Sequence, residues 1–361
     1  MMSDLLKLFA KMFLVITVIF TVFMYLLVIA LGPVLFYFTT EGLTTSMNHL
    51  PALPIWLLNQ SILIPIGINI GVLFFVLWSI FTLSFVVAWK LRENFHKVIK
   101  ESIVRPTREL FNSSLFAMPI INSMILLAII VIQSLQEAGG IPTGTPPIPG
   151  ETFWDFLDLS YAVVVEEVGF RFIPIGAFLL LYLFIIKRKT TTQFSMKQNL
   201  KLFFVSFLFP DSAKRMVGAK TVNEHGIKRG ISPGEWGLLI FTSIIFGMAH
   251  FNPGVSWELG KITSAGIAGL ALGLCYLLYG AHASIIMHWF FNAYTEPFGL
   301  LSEFYPAVAP FATAVTIISL ILGILGWLTV ATLGFLKLVR MDESRQDQTT
   351  PSPAISLELD R

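Results

Sequence analysis

Three short runs of this sequence carry side chains whose types and spacing could do chemistry. They are Glu166-Glu167-Val168-Gly169-Phe170-Arg171, Phe246-Gly247-Met248-Ala249-His250 and His288-Trp289-Phe290-Phe291-Asn292. Glu167 and Arg171 stand four residues apart, so on a helix they share a face and can pair. Glu166 is turned about 100° from that face at 3.6 residues per turn, leaving its carboxylate free for another task. A buried ion pair that orients helices accounts for Glu167 and Arg171 but leaves Glu166 unexplained. His250 taken alone is equally compatible with a histidine snorkelling to an interface. His288 and Asn292, again four apart, offer a donor pair on one face, against the plainer reading of asparagine as interhelical glue. Hydrolysis of a peptide bond needs a base that activates water and donors for the developing oxyanion. Glu166 with His250 and His288 with Asn292 supply those two halves without a serine or cysteine nucleophile. His282 is a weaker candidate, as are His49, His96 and His225.

The elements that must position these groups are apolar. Of 361 residues, 55% are hydrophobic and 13% charged, with 33 phenylalanines and a mean hydropathy of +0.77. Soluble domains carry about 25% charged residues, so a polytopic membrane protein is expected, all-α in class. A net charge of +2 carries no nucleic-acid signature. The single cysteine, Cys275, excludes an internal disulfide and any cysteine-built metal site. Runs long enough to approach a span of about 20 apolar residues are Met12 to Phe38, Ile62 to Trp89, Leu115 to Leu135, Trp154 to Ile186, Trp236 to Phe251, Ile262 to Tyr279, Ala281 to Tyr294 and Phe311 to Leu336. The fifth and seventh are short, and the fourth is long enough to tilt or to kink at Pro174. The first is too long for a secretory h-region and is read as a retained anchor.

With about eight crossings and a cytoplasmic N-terminus, 22 of the 24 basic residues fall on inner segments, as the positive-inside rule predicts. Both termini are then inside, in a single transmembrane domain over 1–340 followed by a disordered polar tail over 341–361. The inner segment 187–233 is basic and contains Leu202 to Phe209, too short to cross and read as an interfacial anchor. Ser232-Pro233-Gly234-Glu235 has the form of a capping box opening the fifth run. Ala265, Gly269 and Gly273, at four-residue spacing, form a stripe for close helix packing.

Glu-Glu-x-x-x-Arg, Phe-x-x-x-His and His-x-x-x-Asn, in this order on separate apolar runs, resemble the CAAX protease and bacteriocin-processing family. That family includes the type II CAAX prenyl endopeptidases, intramembrane glutamate proteases that trim prenylated proteins. The resemblance covers about Phe153 to Tyr294. It implies that Glu166 and His250 activate water, that His288 and Asn292 hold the oxyanion, and that Glu167 and Arg171 support the site. The substrate implied is a membrane-embedded or prenylated (CAAX-type) protein or lipidated peptide, and the chain itself is expected to be a multi-pass protein of the cell membrane. The basic segment 187–233 departs from the family, where a short loop is usual.

Without a His-Glu-x-x-His motif the site is not zincin-like. No catalytic metal is favoured; zinc held by two histidines and a glutamate is the alternative. Two other readings compete with proteolysis. One is a non-catalytic family member acting as a membrane binding or immunity protein. The other is a proton-coupled transporter with Glu166 and the histidines as a relay, although no inverted repeat is visible.

Overall fold

The computed structural model describes residues 2–58, 60–91, 93–145, 152–189, 194–254 and 256–349, and the chain is mostly helical. From the N-terminus, α1 (Met2–Phe38) and α2 (Thr40–Ser46) lead into four short strands. These are β1 (His49–Leu50), β2 (Leu53–Leu57), β3 (Gln60–Ile64) and β4 (Ile68–Asn69). Then come α3 (Ile70–Lys90), α4 (Phe95–Lys100), α5 (Thr107–Leu110), α6 (Ser114–Ala138) and α7 (Thr152–Glu167). A π-helical turn (Val168–Phe172) joins α7 to α8 (Ile173–Lys189), followed by α9 (Met196–Leu208), α10 (Pro210–Met216) and α11 (Val222–Gly230). The chain continues through α12 (Pro233–Ala249), α13 (Leu259–Tyr279), α14 (Ala281–Asn292), α15 (Glu296–Phe304) and α16 (Ala309–Thr349). The expected polar tail falls on the end of α16 and on residues 350–361, which lie outside the described residues.

All eight apolar runs contain helix, but not all of them are long enough to span. Among the described residues, six helices are long and apolar enough to cross a membrane, or up to seven if α11 and α12, bent by 71°, count as one span. The two short runs account for the difference. α14 has 12 residues, about 18 Å at 1.5 Å per residue, against a hydrocarbon core of about 30 Å. Its first ten residues, Ala281–Phe290, are all buried. A helix buried on every side belongs inside a bundle, and α14 is wrapped there by α3, α6, α7 and α13.

The all-α expectation needs one correction. The second apolar run does not begin its helix at Ile62. Pro65 and Gly67 interrupt it, and Gln60–Ile64 pairs antiparallel with Leu53–Leu57 as a hairpin. β1 and β4 close a second two-stranded pairing, and α3 starts only at Ile70, where the Asn69 side chain accepts from the Val72 amide. A β-branched stretch bounded by proline fits a pleated surface better than a helix. The hairpin sits against the π-helical turn: the Leu58 amide donates to the Gly169 carbonyl at 3.3 Å, and the Tyr161 hydroxyl donates to the Pro54 carbonyl at 2.7 Å.

Two local features position the site. Ile173 donates its amide to the carbonyl of Val168, five residues back. The next residue, Pro174, has no N–H to give, so the expected disturbance at this proline takes the form of a π-bulge. Between α13 and α14, Gly280 has φ 110° and ψ 178°, a conformation open essentially to glycine alone. A Cβ there would also lie 2.7 Å from the Leu208 carbonyl oxygen. The stripe Ala265, Gly269 and Gly273 faces α12, where a Cβ on Gly269 would meet Phe246 at 3.0 Å and the Ser243 backbone at 3.3 Å.

Candidate functional site

Glu167 is the buried anchor. Its side chain is fully enclosed, and Arg171, one turn on, donates to Oε1 at 3.1 Å with its own side chain 1% exposed. The i, i+4 pairing read from the sequence is therefore present, but Glu167 does more than pair. His288 Nδ1 lies 2.9 Å from the same Oε1, and the Ser284 hydroxyl donates to Oε2. One carboxylate thus ties the end of α7 to α14 while neutralising a buried guanidinium. Arg171 also donates to the Gly269 carbonyl at 3.5 Å and lies 4.2 Å from the centroid of the Phe246 ring, a cation–π contact. Buried charges persist only when paired and hydrogen-bonded in this way.

His288 is held between two carboxylates. Its Nε2 lies 3.5 Å from Glu166 Oε2, opposite the Nδ1 contact with Glu167. The reading from helical faces expected Glu166 to point away from the Glu167–Arg171 pair, and it does: it approaches the other edge of the imidazole. The Glu166 side chain is 21% exposed, against none for Glu167. Two adjacent glutamates therefore meet different environments, one fully enclosed as support and one partly exposed.

His250 follows the last residue of α12. Its Nδ1 lies 2.7 Å from the Phe246 carbonyl oxygen. A carbonyl can only accept, so Nδ1 carries the proton and Nε2 of the neutral ring holds the lone pair. Phe246 packs edge-on against His250 at 4.6 Å and against His288 at 6.0 Å, so one ring contacts both imidazoles. The ionisable groups that act on His250 electrostatically are Glu166, Lys261 and His288.

These groups border a cavity of about 220 Å³ formed by α6, α12, α13 and α14. His250, His288 and Asn292 line it together, with Lys261, Gln133 and Ser264 as further polar walls. Glu166 does not line this cavity and meets it through His288. His282 stands apart, hydrogen-bonded to Ser114 at 3.1 Å. His49 lies on β1, His96 on α4 and His225 on α11, away from the cavity wall. Among the described residues no group of three His, Cys, Asp or Glu side chains is placed to hold a metal ion.

Sequence reasoning missed Ser284 and Lys261. Ser284 stands four residues before His288, so Ser284, His288 and Asn292 form a polar stripe along a mostly apolar helix, and that periodicity would have found it. Lys261 reads as a loop charge, yet it sits in the first turn of α13 with its ammonium 3.6 Å from the Trp257 ring centroid. Only the fold could place it on the cavity wall.

Comparison with curated proteins and with solved structures gives no match. Over residues 149–294 the chain matches the family model described as type II CAAX prenyl endopeptidase Rce1-like, a segment that contains all six site residues and bears out the resemblance carried by the three motifs.

Proposed function

We propose that this multi-pass membrane protein is an intramembrane endopeptidase that hydrolyses a peptide bond of a membrane-embedded or prenylated CAAX-type substrate. The observation that carries the reading is the placement of His288 between two glutamates, on a cavity whose wall it shares with His250 and Asn292. In this mechanism Glu166 takes the proton of the attacking water, assisted by the lone pair of His250 Nε2. Positioned acid–base catalysis of this kind contributes about 10²–10⁴-fold. The tetrahedral oxyanion is stabilised by the Asn292 amide and by the Nε2–H of His288, the ring nitrogen that Glu167 does not hold, each such donor being worth about 10²–10³-fold. Glu167 holds His288 through Nδ1, and Arg171 holds Glu167. No step is placed on a metal ion.

Eight crossings with both termini cytoplasmic remain our topology, supported by the distribution of basic residues, and the cell membrane is the proposed location. In that arrangement α12 and α14 are the two short elements, as suits helices that shape a site inside the bundle.

The test compares membrane-protein termini by mass spectrometry in cells carrying the wild type, Glu166→Ala or His250→Ala at matched expression. New termini seen only with the wild type are expected, and they would name both substrate and cut site. Identical termini in all three would refute proteolysis and shift weight to a binding or transport role.

A further inference from the structure

The segment 194–233, which the proposed chemistry does not use, builds a cavity of its own. α9 packs Leu202 against Leu179 and Leu183 of α8. Its opposite face leaves Met196, Leu200, Phe203, Phe204 and Leu208 exposed, the pattern of a helix lying in the membrane interface. Beyond it, α10, α11 and the loops beside them close a space of about 610 Å³ against α8 and the start of α12.

The charges lining that space do not cancel. Lys214, Lys220, Lys228 and Arg229 line it, with Glu235 as the opposing carboxylate. Lys214 and Glu235 are spoken for: their side chains are 2% and 0% exposed and lie 2.5 Å apart. Lys214 donates further to the Gly230 carbonyl at 2.7 Å, and Glu235 accepts the Ser232 amide of its capping box at 2.7 Å. That pair fastens the segment to α12 and sums to zero. Lys220, Lys228 and Arg229 remain, three exposed cations without an ion-pair partner among the described residues. Other arginines are treated differently: Arg215 pairs with Glu224 at 3.3 Å, and Arg105, between α4 and α5, with Glu93 and Glu101. Tyr182, midway along α8, and Trp236, at the start of α12, line the same space. An amphipathic ring at a helix end, as Trp236 is, marks the headgroup level of a bilayer.

We propose that this cavity binds a phosphate group, presented by an anionic phospholipid headgroup or as free phosphate. Lys220, Lys228 and Arg229 would supply the charge, and Tyr182 and Trp236 would flank the bound group. Basic pockets between membrane helices suit such headgroups, and arginine can bind a phosphate through two parallel N–H donors. The proposal does not depend on the peptidase chemistry.

The experiment uses the full chain, purified in phosphatidylcholine-containing micelles. Bound lipid is counted by native mass spectrometry and melting is followed by tryptophan fluorescence while phosphatidylglycerol, extra phosphatidylcholine or inorganic phosphate is added. The wild type should retain and be stabilised by phosphatidylglycerol over phosphatidylcholine. Affinity should fall about fivefold in each of Lys220→Gln, Lys228→Gln and Arg229→Gln, and on the order of 100-fold in the triple variant. Inorganic phosphate that displaces the lipid would assign the same pocket to the free anion as well. Wild-type affinity in a triple variant that melts normally would overturn the proposal, as would a wild type that binds neither phosphatidylglycerol nor phosphate. If the triple variant fails to fold, the single variants decide the question. Equal losses in Lys97→Gln and Lys100→Gln, on the distant helix α4, would reduce the effect to general surface charge and also overturn it.

Discussion

Glu167→Ala should cost the protein its stability before it costs any chemistry. The carboxylate is the counter-charge of Arg171, whose side chain is 1% exposed, and deleting one partner of such a pair costs about 3–5 kcal/mol. The remaining neighbours of the guanidinium are the Gly269 carbonyl at 3.5 Å and the Phe246 ring at 4.2 Å, and neither neutralises it. Ser284 and His288 also lose their acceptor. Hydrogen bonds to charged groups are worth about 1.5–3 kcal/mol each, so simple addition reaches about 6–11 kcal/mol. That sum is an upper bound, because the three contacts share one carboxylate and do not add independently. Even its lower half is a large part of the 5–15 kcal/mol that holds typical domains folded. Removing both charges, in Glu167→Leu with Arg171→Met, should recover the unpaired-charge share of the loss, about 3–5 kcal/mol, since a buried pair replaced by apolar groups is often neutral, while the share from Ser284 and His288 stays lost. The double variant should nevertheless stay inactive, because His288 would lack its Nδ1 partner. The assay is a thermal melt of purified wild type, both single variants and the double variant, read by tryptophan fluorescence beside membrane yield. A Glu167→Ala protein that melts with the wild type, or a double variant no better than the single, would refute the ion-pair argument.

The remaining expectations separate support from chemistry. Glu166→Gln should leave melting unchanged, because this partly exposed side chain meets His288 only at 3.5 Å. Cleavage of the identified substrate should fall by about 10²–10⁴-fold, and retained turnover would remove Glu166 from the mechanism. Ser284→Ala withdraws one hydrogen bond from Glu167 and should cost about 1–3 kcal/mol while cleavage stays within about tenfold. Complete loss of cleavage at normal stability would make Ser284 a participant in the chemistry. Gly169→Ala places a methyl against the Trp56 backbone carbonyl, which cannot rotate away. Limited proteolysis should then show the Leu53–Ile64 hairpin released and activity reduced, and an unchanged digestion pattern would show that the hairpin does not depend on this contact.

Much of the site was legible in the sequence because ionisable groups are rare in apolar helices and expensive there. Glu166, Glu167, Arg171, His250, His288 and Asn292 stood out against their surroundings, and four-residue spacing gave the Glu167–Arg171 pair directly. The capping box at Ser232 and Glu235 was equally local and is present in the structure. Local periodicity could not say that α14 is a short buried helix, because an apolar run looks the same whether lipid or protein surrounds it. Nor could it place the hairpin before α3, where strand pairing joins residues that a one-dimensional pattern treats as the start of a span.

What the sequence determined by itself was the class of molecule and the inventory of chemistry: apolar helices and three polar motifs in a defined order, each a consequence of composition and of spacings within a turn or two. Tertiary structure alone decided how that inventory is shared. It set His288 between two glutamates that are neighbours in the chain, made Glu167 the support and left Glu166 more open, and put Lys261 on the cavity wall. Those assignments depend on contacts between helices more than 100 residues apart, as with Glu167 and His288, and on which carboxylate the packing buries. No pattern confined to a single helix encodes either.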